Sequence, residues 1–330
     1  MRDAAMLNRR TQLSLALVAG LALAVAVAAH AGLPTVIEVL RRLGVAELAW
    51  LSALQLGSVL LCGIAWWIFT TGASLTACTA ARFVRDGASS VVAIIPGMGE
   101  IAGMRALTLF GARAGNAAGS GVVDLATEIL AQIIFTLAGV VALLAVLGWA
   151  ELDHAVGIAA ASVLPLVLAY LGFRSPRIRK PVMRFVTRVE RHFGLAEWGL
   201  GVEAGRTVAA LWQDRPRLAA GTLLHFAAWL LSAAQIWFAA GALDAPLSPT
   251  ASLALAALVH AARGALFVVP WGAGVQEAGF LVAGVVLGLD EPTAIAMSLA
   301  LRVRDTLLAL PALLLWGAAE LREAWMARRA

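Results

Sequence analysis

The sequence predicts an all-α polytopic membrane protein, with about six full spans and two re-entrant broken-helix hairpins arranged as an inverted repeat. Two observations predict it. Hydrophobic residues make up 61% of the 330 and charged residues 14%, with a mean hydropathy of +0.87. Apolar runs near the roughly 20 residues that a helix needs to cross a bilayer recur along the chain. The second observation is a pair of matching interruptions, IIPGMGEIAGM at 94–104 and FVVPWGAGVQEAGF at 267–280. Their prolines, Pro96 and Pro270, lie 174 residues apart, so each half of the chain carries one. In both, glycines follow the proline (Gly97 and Gly99; Gly272 and Gly274) and a glutamate closes the break, Glu100 or Glu277. Proline removes a helical donor and glycine lets the backbone turn, so each stretch reads as a broken helix. Taken singly, either could be a loop that contains Pro and Gly. As a pair in two halves of a membrane protein they mark a substrate site.

The length allows a single integral membrane domain over 1–330 with little outside it. Its first half is 11–150, with a broken helix at 89–110; its second is 218–318, with a broken helix at 251–289. Between them lies a basic amphipathic region at 174–217, expected in the cytoplasm.

Taken in order, residues 13–29 follow Arg2, Arg9 and Arg10 and imitate a signal peptide, but the run exceeds a usual signal core and reads as the first span. A short interfacial helix at 32–48 comes next. The second span, 50–71, has Trp50 near one end and Trp66 and Trp67 toward the other, where amphipathic rings favour the headgroup level. Arg82, Arg85 and Asp86 then read as a polar linker. The two limbs of 89–110 are each too short to cross, hence a re-entrant hairpin. The third span, 119–149, places Ser120, Asp124, Glu128 and Gln132 at successive i+4 positions, a polar stripe on an apolar helix. Carboxylates there are costly unless they face protein, water or a partner charge.

The fourth span is 156–173. In 174–217, Val182, Phe185, Val186, Val189 and Phe193 recur at helical spacing opposite Arg184, Arg188 and Arg191, a pattern suited to an anionic membrane face. A plain positive-inside loop is the alternative. The fifth span, 218–243, contains His225, read as a hydrogen-bonded packing residue, and Gln235. His260 and Arg263 precede the second break, and a half-helix follows it to residue 289. The last span, 293–316, carries Arg302, Arg304 and Asp305 near its middle.

Basic residues at the N-terminus, in 174–217 and at Arg322, Arg328 and Arg329 place all three regions in the cytoplasm. By counting spans, the two hairpins then enter from opposite faces, which makes the repeat inverted. Across that symmetry axis Asp124 and Glu128 are expected to neutralise Arg302 and Arg304.

Several function classes are disfavoured. Cys62 and Cys78 are the only cysteines and form neither a disulfide framework nor metal-ligand spacing. The basic residues lack interleaved aromatics, so nucleic acid is not an expected partner, and no cofactor is expected. No G-x-x-x-x-G-K-[ST], nucleophile elbow or H-E-x-x-H occurs, which argues against nucleotide-driven transport and against an enzyme.

The PGMGE element with Arg105 after it, the acidic stretch VVDLATEILAQ, the second element FVVPWGAGVQEAGF and the closing R-x-R-D at 302–305 resemble the membrane domain of lysylphosphatidylglycerol synthases, a flippase-like family. Within it they look most like the hopanoid-biosynthesis-associated branch. The resemblance covers about 13–316 and implies movement or presentation of a lipid across the bacterial inner membrane, with hopanoid or a related lipid as cargo. Leu125 and Trp271 depart from the family's usual arginine and small residue, which bears on cargo. The 330 residues hold no aminoacyl-transfer domain, so synthase activity is not implied. Under this reading Glu100 and Glu277, with Arg105 and Arg263, contact a polar headgroup, while Asp124, Glu128, Arg302 and Asp305 line or lock the path. The partner is membrane lipid, with anionic phospholipid at the cytoplasmic face. Two other classes stay open: a scaffold for lipid-biosynthesis enzymes, and an integral membrane enzyme acting on a lipid headgroup.

Overall fold

A computed structural model describes residues 43–91, 97–148, 202–265 and 274–329, with isolated positions at 38, 41, 164, 167, 168 and 171. The expected span at 13–29, all but positions 164, 167, 168 and 171 of the one at 156–173, most of the basic region 174–217, and Pro96, Pro270 and Gly272 lie outside the described residues. Among the described residues there are nine helices and no strand.

The first group is α1 (Val45–Phe69), α2 (Leu75–Val91), α3 (Met98–Leu109) and α4 (Ala114–Leu147). After α5 (Val202–Leu211) comes a second group, α6 (Arg215–Ala242), α7 (Pro249–Ala265), α8 (Val275–Val286) and α9 (Glu291–Ala327). Three of these, α1, α4 and α6, are long and apolar enough to cross a membrane, at the places expected for the second, third and fifth spans. Their outer faces stay apolar and uncovered, as at Leu60 and Trp67 on α1, Leu137 and Val141 on α4, and Leu223 and Trp237 on α6. Such a belt is an unsatisfied surface in water and an ordinary lipid-facing one in a bilayer.

The two groups repeat one plan. Each has a long helix, a 17-residue helix, a break, a 12-residue helix and a second long helix. Both 12-residue helices start from a glycine in the left-handed region, Gly97 at φ 84° and Gly274 at φ 74°. A side chain there meets its own backbone, which is why glycine stands at both.

The first broken helix is longer than the sequence indicates. Its leading limb begins at Leu75, not near Ser89, so Arg82, Arg85 and Asp86 sit on α2 and not in a linker. Both arginines are buried. A helix carrying them is sparse in apolar residues, and only its tertiary partners make it tolerable inside the protein.

The groups interlock. Besides pairing with its own partner limb, α2 packs on α9 of the other group, and α7 packs on α4; α1 and α6 lie against each other. Small residues allow the close approach: a Cβ at Gly87 would come within 2.5 Å of the Ala312 Cβ, and one at Gly139 within 2.0 Å of the Ala257 Cβ. Where lipid removes the hydrophobic drive between helices, such close backbone contacts supply dispersion energy instead. Larger side chains fill the rest of the core, with Phe135, Ile236, Leu255, Phe280 and Met297 in one cluster and Trp66, Val84 and Leu107 in another.

Candidate functional site

Between the two groups lies a cavity of about 430 Å³, lined from α1, α2, α3, α4, α6, α7, α8 and α9. Its wall mixes charged and polar groups with apolar ones, where the belt outside is apolar. The start of α3 (Gly97 to Glu100) borders it on one side, and Gln276 and Phe280 of α8 border it on another. Both broken helices therefore present their leading turns to one space.

On the first wall, two arginines from α2 meet carboxylates from three helices. Arg82 donates to both oxygens of Glu128, at 3.1 and 2.7 Å, and its Nε lies 2.9 Å from Asp86 but outside hydrogen-bonding angle. Arg85 lies 2.8 Å from Glu128, 3.4 Å from Asp124 and 3.3 Å from Glu100. Asp124 also meets His225 of α6, with Nε2 to Oδ1 at 3.0 Å, and both side chains are sealed from solvent. The i+4 stripe on α4 thus turns its acids to α2 and α6. By formal charge this wall has two arginines against four carboxylates.

On the second wall, Glu277 is held twice. Its Oε2 accepts from the Gly274 amide at 2.9 Å and from Arg302 at 3.0 Å, and Oε1 accepts a very short bond from Arg302 Nε. Arg304 reaches Asp305 at 2.6 Å and donates to Gln235, whose amide reaches Gln55 at 3.3 Å. The Ser232 hydroxyl and His260 Nε2 are 2.6 Å apart, and the His260 ring meets Trp229 at 4.7 Å between centroids. Gln132 donates to the His260 carbonyl at 3.0 Å, tying α4 to α7. Arg263 borders the cavity one turn beyond His260 and, among the described residues, has no hydrogen bond or ion pair to protein. This wall has three arginines against two carboxylates.

The charge pairing differs from expectation. Asp124 and Glu128 are neutralised by Arg85 and Arg82, and Arg302 by Glu277, so each wall compensates its own charges instead of crossing to the other. The reason is geometric, because α2 carries its arginines onto the acidic face of α4 while α8 begins beside α9. Of the residues singled out by sequence, Glu100, Glu128, Arg263 and Asp305 border the cavity, with Gly97 and Gly99. Asp124, Glu277 and Arg302 stand behind it as partners of lining groups or of one another, and Gly274 opens α8. Arg105 is elsewhere, in a bidentate pair with Glu320 at 2.9 and 2.8 Å that ties α3 to the far end of α9. Sequence reasoning missed Arg82, Asp86, Gln55, Ser232 and Trp229 as lining residues. Arg82, Arg85 and Asp86 at helical spacing were the available signal.

Among the described residues no group of three His, Cys, Asp or Glu side chains could hold a metal ion. The arrangement offers donors and acceptors of both signs around a space large enough for a small polar group, walled by helices whose outer faces are apolar. No curated protein and no solved structure matches the chain. The family model for the lysylphosphatidylglycerol synthase TM region matches residues 12–312, and the chain belongs to that family.

Proposed function

We propose that the protein is a lipid flippase or lipid transporter of the bacterial inner membrane, with hopanoid or a related lipid as cargo and both termini in the cytoplasm. One observation carries the reading: a cavity of about 430 Å³ with charged groups of both signs in its wall, bordered by the leading turns of both broken helices, inside a protein with an apolar outer belt. A lipid crossing a bilayer must move its headgroup through roughly 30 Å of hydrocarbon. A cavity with fixed donors and acceptors replaces the headgroup's water, while its acyl chains remain outside among lipid. Two hairpins of like construction, one from each half, give the site two elements that can open in turn. Family membership supports lipid handling in general, and the choice of a flippase with this cargo is our own.

The test is lipid sidedness in proteoliposomes, with wild type compared with Glu277→Gln, read with a fluorescent phospholipid or hopanoid analogue and a membrane-impermeant quencher. Wild type is expected to speed equilibration between leaflets by at least tenfold over protein-free vesicles, and the variant to lose most of that gain while remaining inserted. Equal rates in wild-type and empty vesicles, with lipid mass unchanged, would favour the scaffold reading. A change in the mass of the added lipid would favour the enzyme.

A further inference from the structure

The two walls of the cavity are not balanced alike, and the imbalance centres on one side chain. Among the described residues the arginines at or behind the cavity are Arg82, Arg85, Arg263, Arg302 and Arg304. Four of them have a carboxylate in an ion pair: Glu128 for Arg82 and Arg85, Glu277 for Arg302, and Asp305 for Arg304. Arg263 has none. Asp305 faces the same space, but it is already engaged by Arg304 at 2.6 Å.

A guanidinium removed from bulk water without an anion is costly, since proteins neutralise such a charge or hydrate it. Arg263 is only partly buried and cannot shed its proton; water and the nearby charges of Asp305 and Glu277 offset part of its charge, and an anion entering the cavity would add the direct partner it lacks. Its planar fork of donors matches two oxygens of a phosphate or carboxylate. The opposite wall carries four carboxylates against two arginines and the His225 imidazole that pairs with Asp124, an excess of acid that disfavours an anion there. Field and donor geometry thus both direct an oxyanion to the α7 side.

We propose that Arg263 is the seat of an oxyanion in this cavity, a phosphate group supplied either by a lipid headgroup or by free phosphate. The lipid form rests on the transport reading and narrows its cargo to a lipid that carries a phosphate; the free-phosphate form does not rest on it. Ser232 lies on the adjoining helix, with its hydroxyl on His260 one turn before Arg263, and is placed to donate a further hydrogen bond if its proton turns from the imidazole.

The experiment uses the full chain in nonionic detergent. Dioctanoyl phosphatidic acid, dioctanoylglycerol and inorganic phosphate are titrated separately, followed by tryptophan emission and by the thermal unfolding midpoint. Wild type is expected to bind the phosphatidic acid at least tenfold more tightly than dioctanoylglycerol. Arg263→Gln is expected to erase that preference, Arg263→Lys to keep part of it, and Arg322→Gln, at an exposed position on the last turns of α9, to keep all of it. If Arg263→Gln does not fold, the Lys variant and the lipid preference of wild type decide. Equal affinity of wild type for the charged and uncharged lipids, or an unchanged preference in Arg263→Gln, would overturn the proposal. Binding of inorganic phosphate alone, dependent on Arg263, would keep the seat and remove the lipid phosphate as its source. A failed sidedness assay alongside Arg263-dependent binding would sink the transport reading and leave the seat standing.

Discussion

Glu277 illustrates how one residue serves both fold and site. Its carboxylate closes the first turn of α8 by accepting from the Gly274 amide and, in the same place, neutralises Arg302. Glu277→Gln keeps the shape but takes the carboxylate from one side of a buried pair, a change that costs about 3–5 kcal/mol. The thermal midpoint of Glu277→Gln is therefore expected to fall, as seen by unfolding in detergent. Replacing both partners, as Glu277→Gln with Arg302→Met, removes the arginine's charge as well. That double variant is expected to recover more than half of the lost stability, a coupling that a double-mutant cycle measures directly. It also sharpens the transport assay. If the double variant is stable yet inactive, the carboxylate is needed for more than folding; if stability and activity return together, Glu277 acts through structure alone.

At the scale of elements, legibility followed partner dependence. The helices α1, α4 and α6 declare themselves because their apolar length is a local property of the chain. The paired glycines show the starts of α3 and α8 for a similarly local reason, since a left-handed φ favours glycine at Gly97 and Gly274. The helix α2 was hidden because its stability is not local. Arg82, Arg85 and Asp86 look like a solvated turn until Glu128, Asp124 and Glu100 are known to face them. The stripe on α4 was visible but its partners were not, because periodicity gives the face of a helix and not the helix opposite. The contact between α4 and α7 was also invisible in sequence, where Gly139 is one glycine among 31. With a Cβ there already within 2.0 Å of Ala257, Gly139→Leu must push the two helices apart. The expected cost is at least the roughly 1–3 kcal/mol typical of overpacking. In a chain whose cavity wall hangs on α7, loss of monodisperse protein on size exclusion is the expected result. Gly241→Leu, at a helix position where a Cβ meets nothing within 4 Å, should elute as wild type.

At the scale of the molecule, the interlocked repeat makes a stronger demand than two domains joined side by side. In the exchange of contacts, α2 rests on α9 and α7 on α4, so each broken helix is packed against a long helix of the other half. The same exchange places the leading turns of α3 and α8 at one cavity, because each is carried there by the limb that crosses to the opposite group. Neither half can therefore close its own hairpin on a complete surface. Arg82 and Arg85 would keep Glu128 in an isolated first half, but α2 would lose α9, and α7 in an isolated second half would lose α4. At its closest point each exposed face has a small residue, Gly87 for Ala312 and Gly139 for Ala257, so lipid chains fit it less closely than the missing helix does. Expressing 1–200 and 201–330 as separate chains is expected to give fragments that are inserted but readily proteolysed when made singly. When made together they should copurify through a tag on one fragment and regain protease resistance. If either fragment alone matches the resistance of the full chain, the halves are independent folding units and the interlock does not organise the cavity.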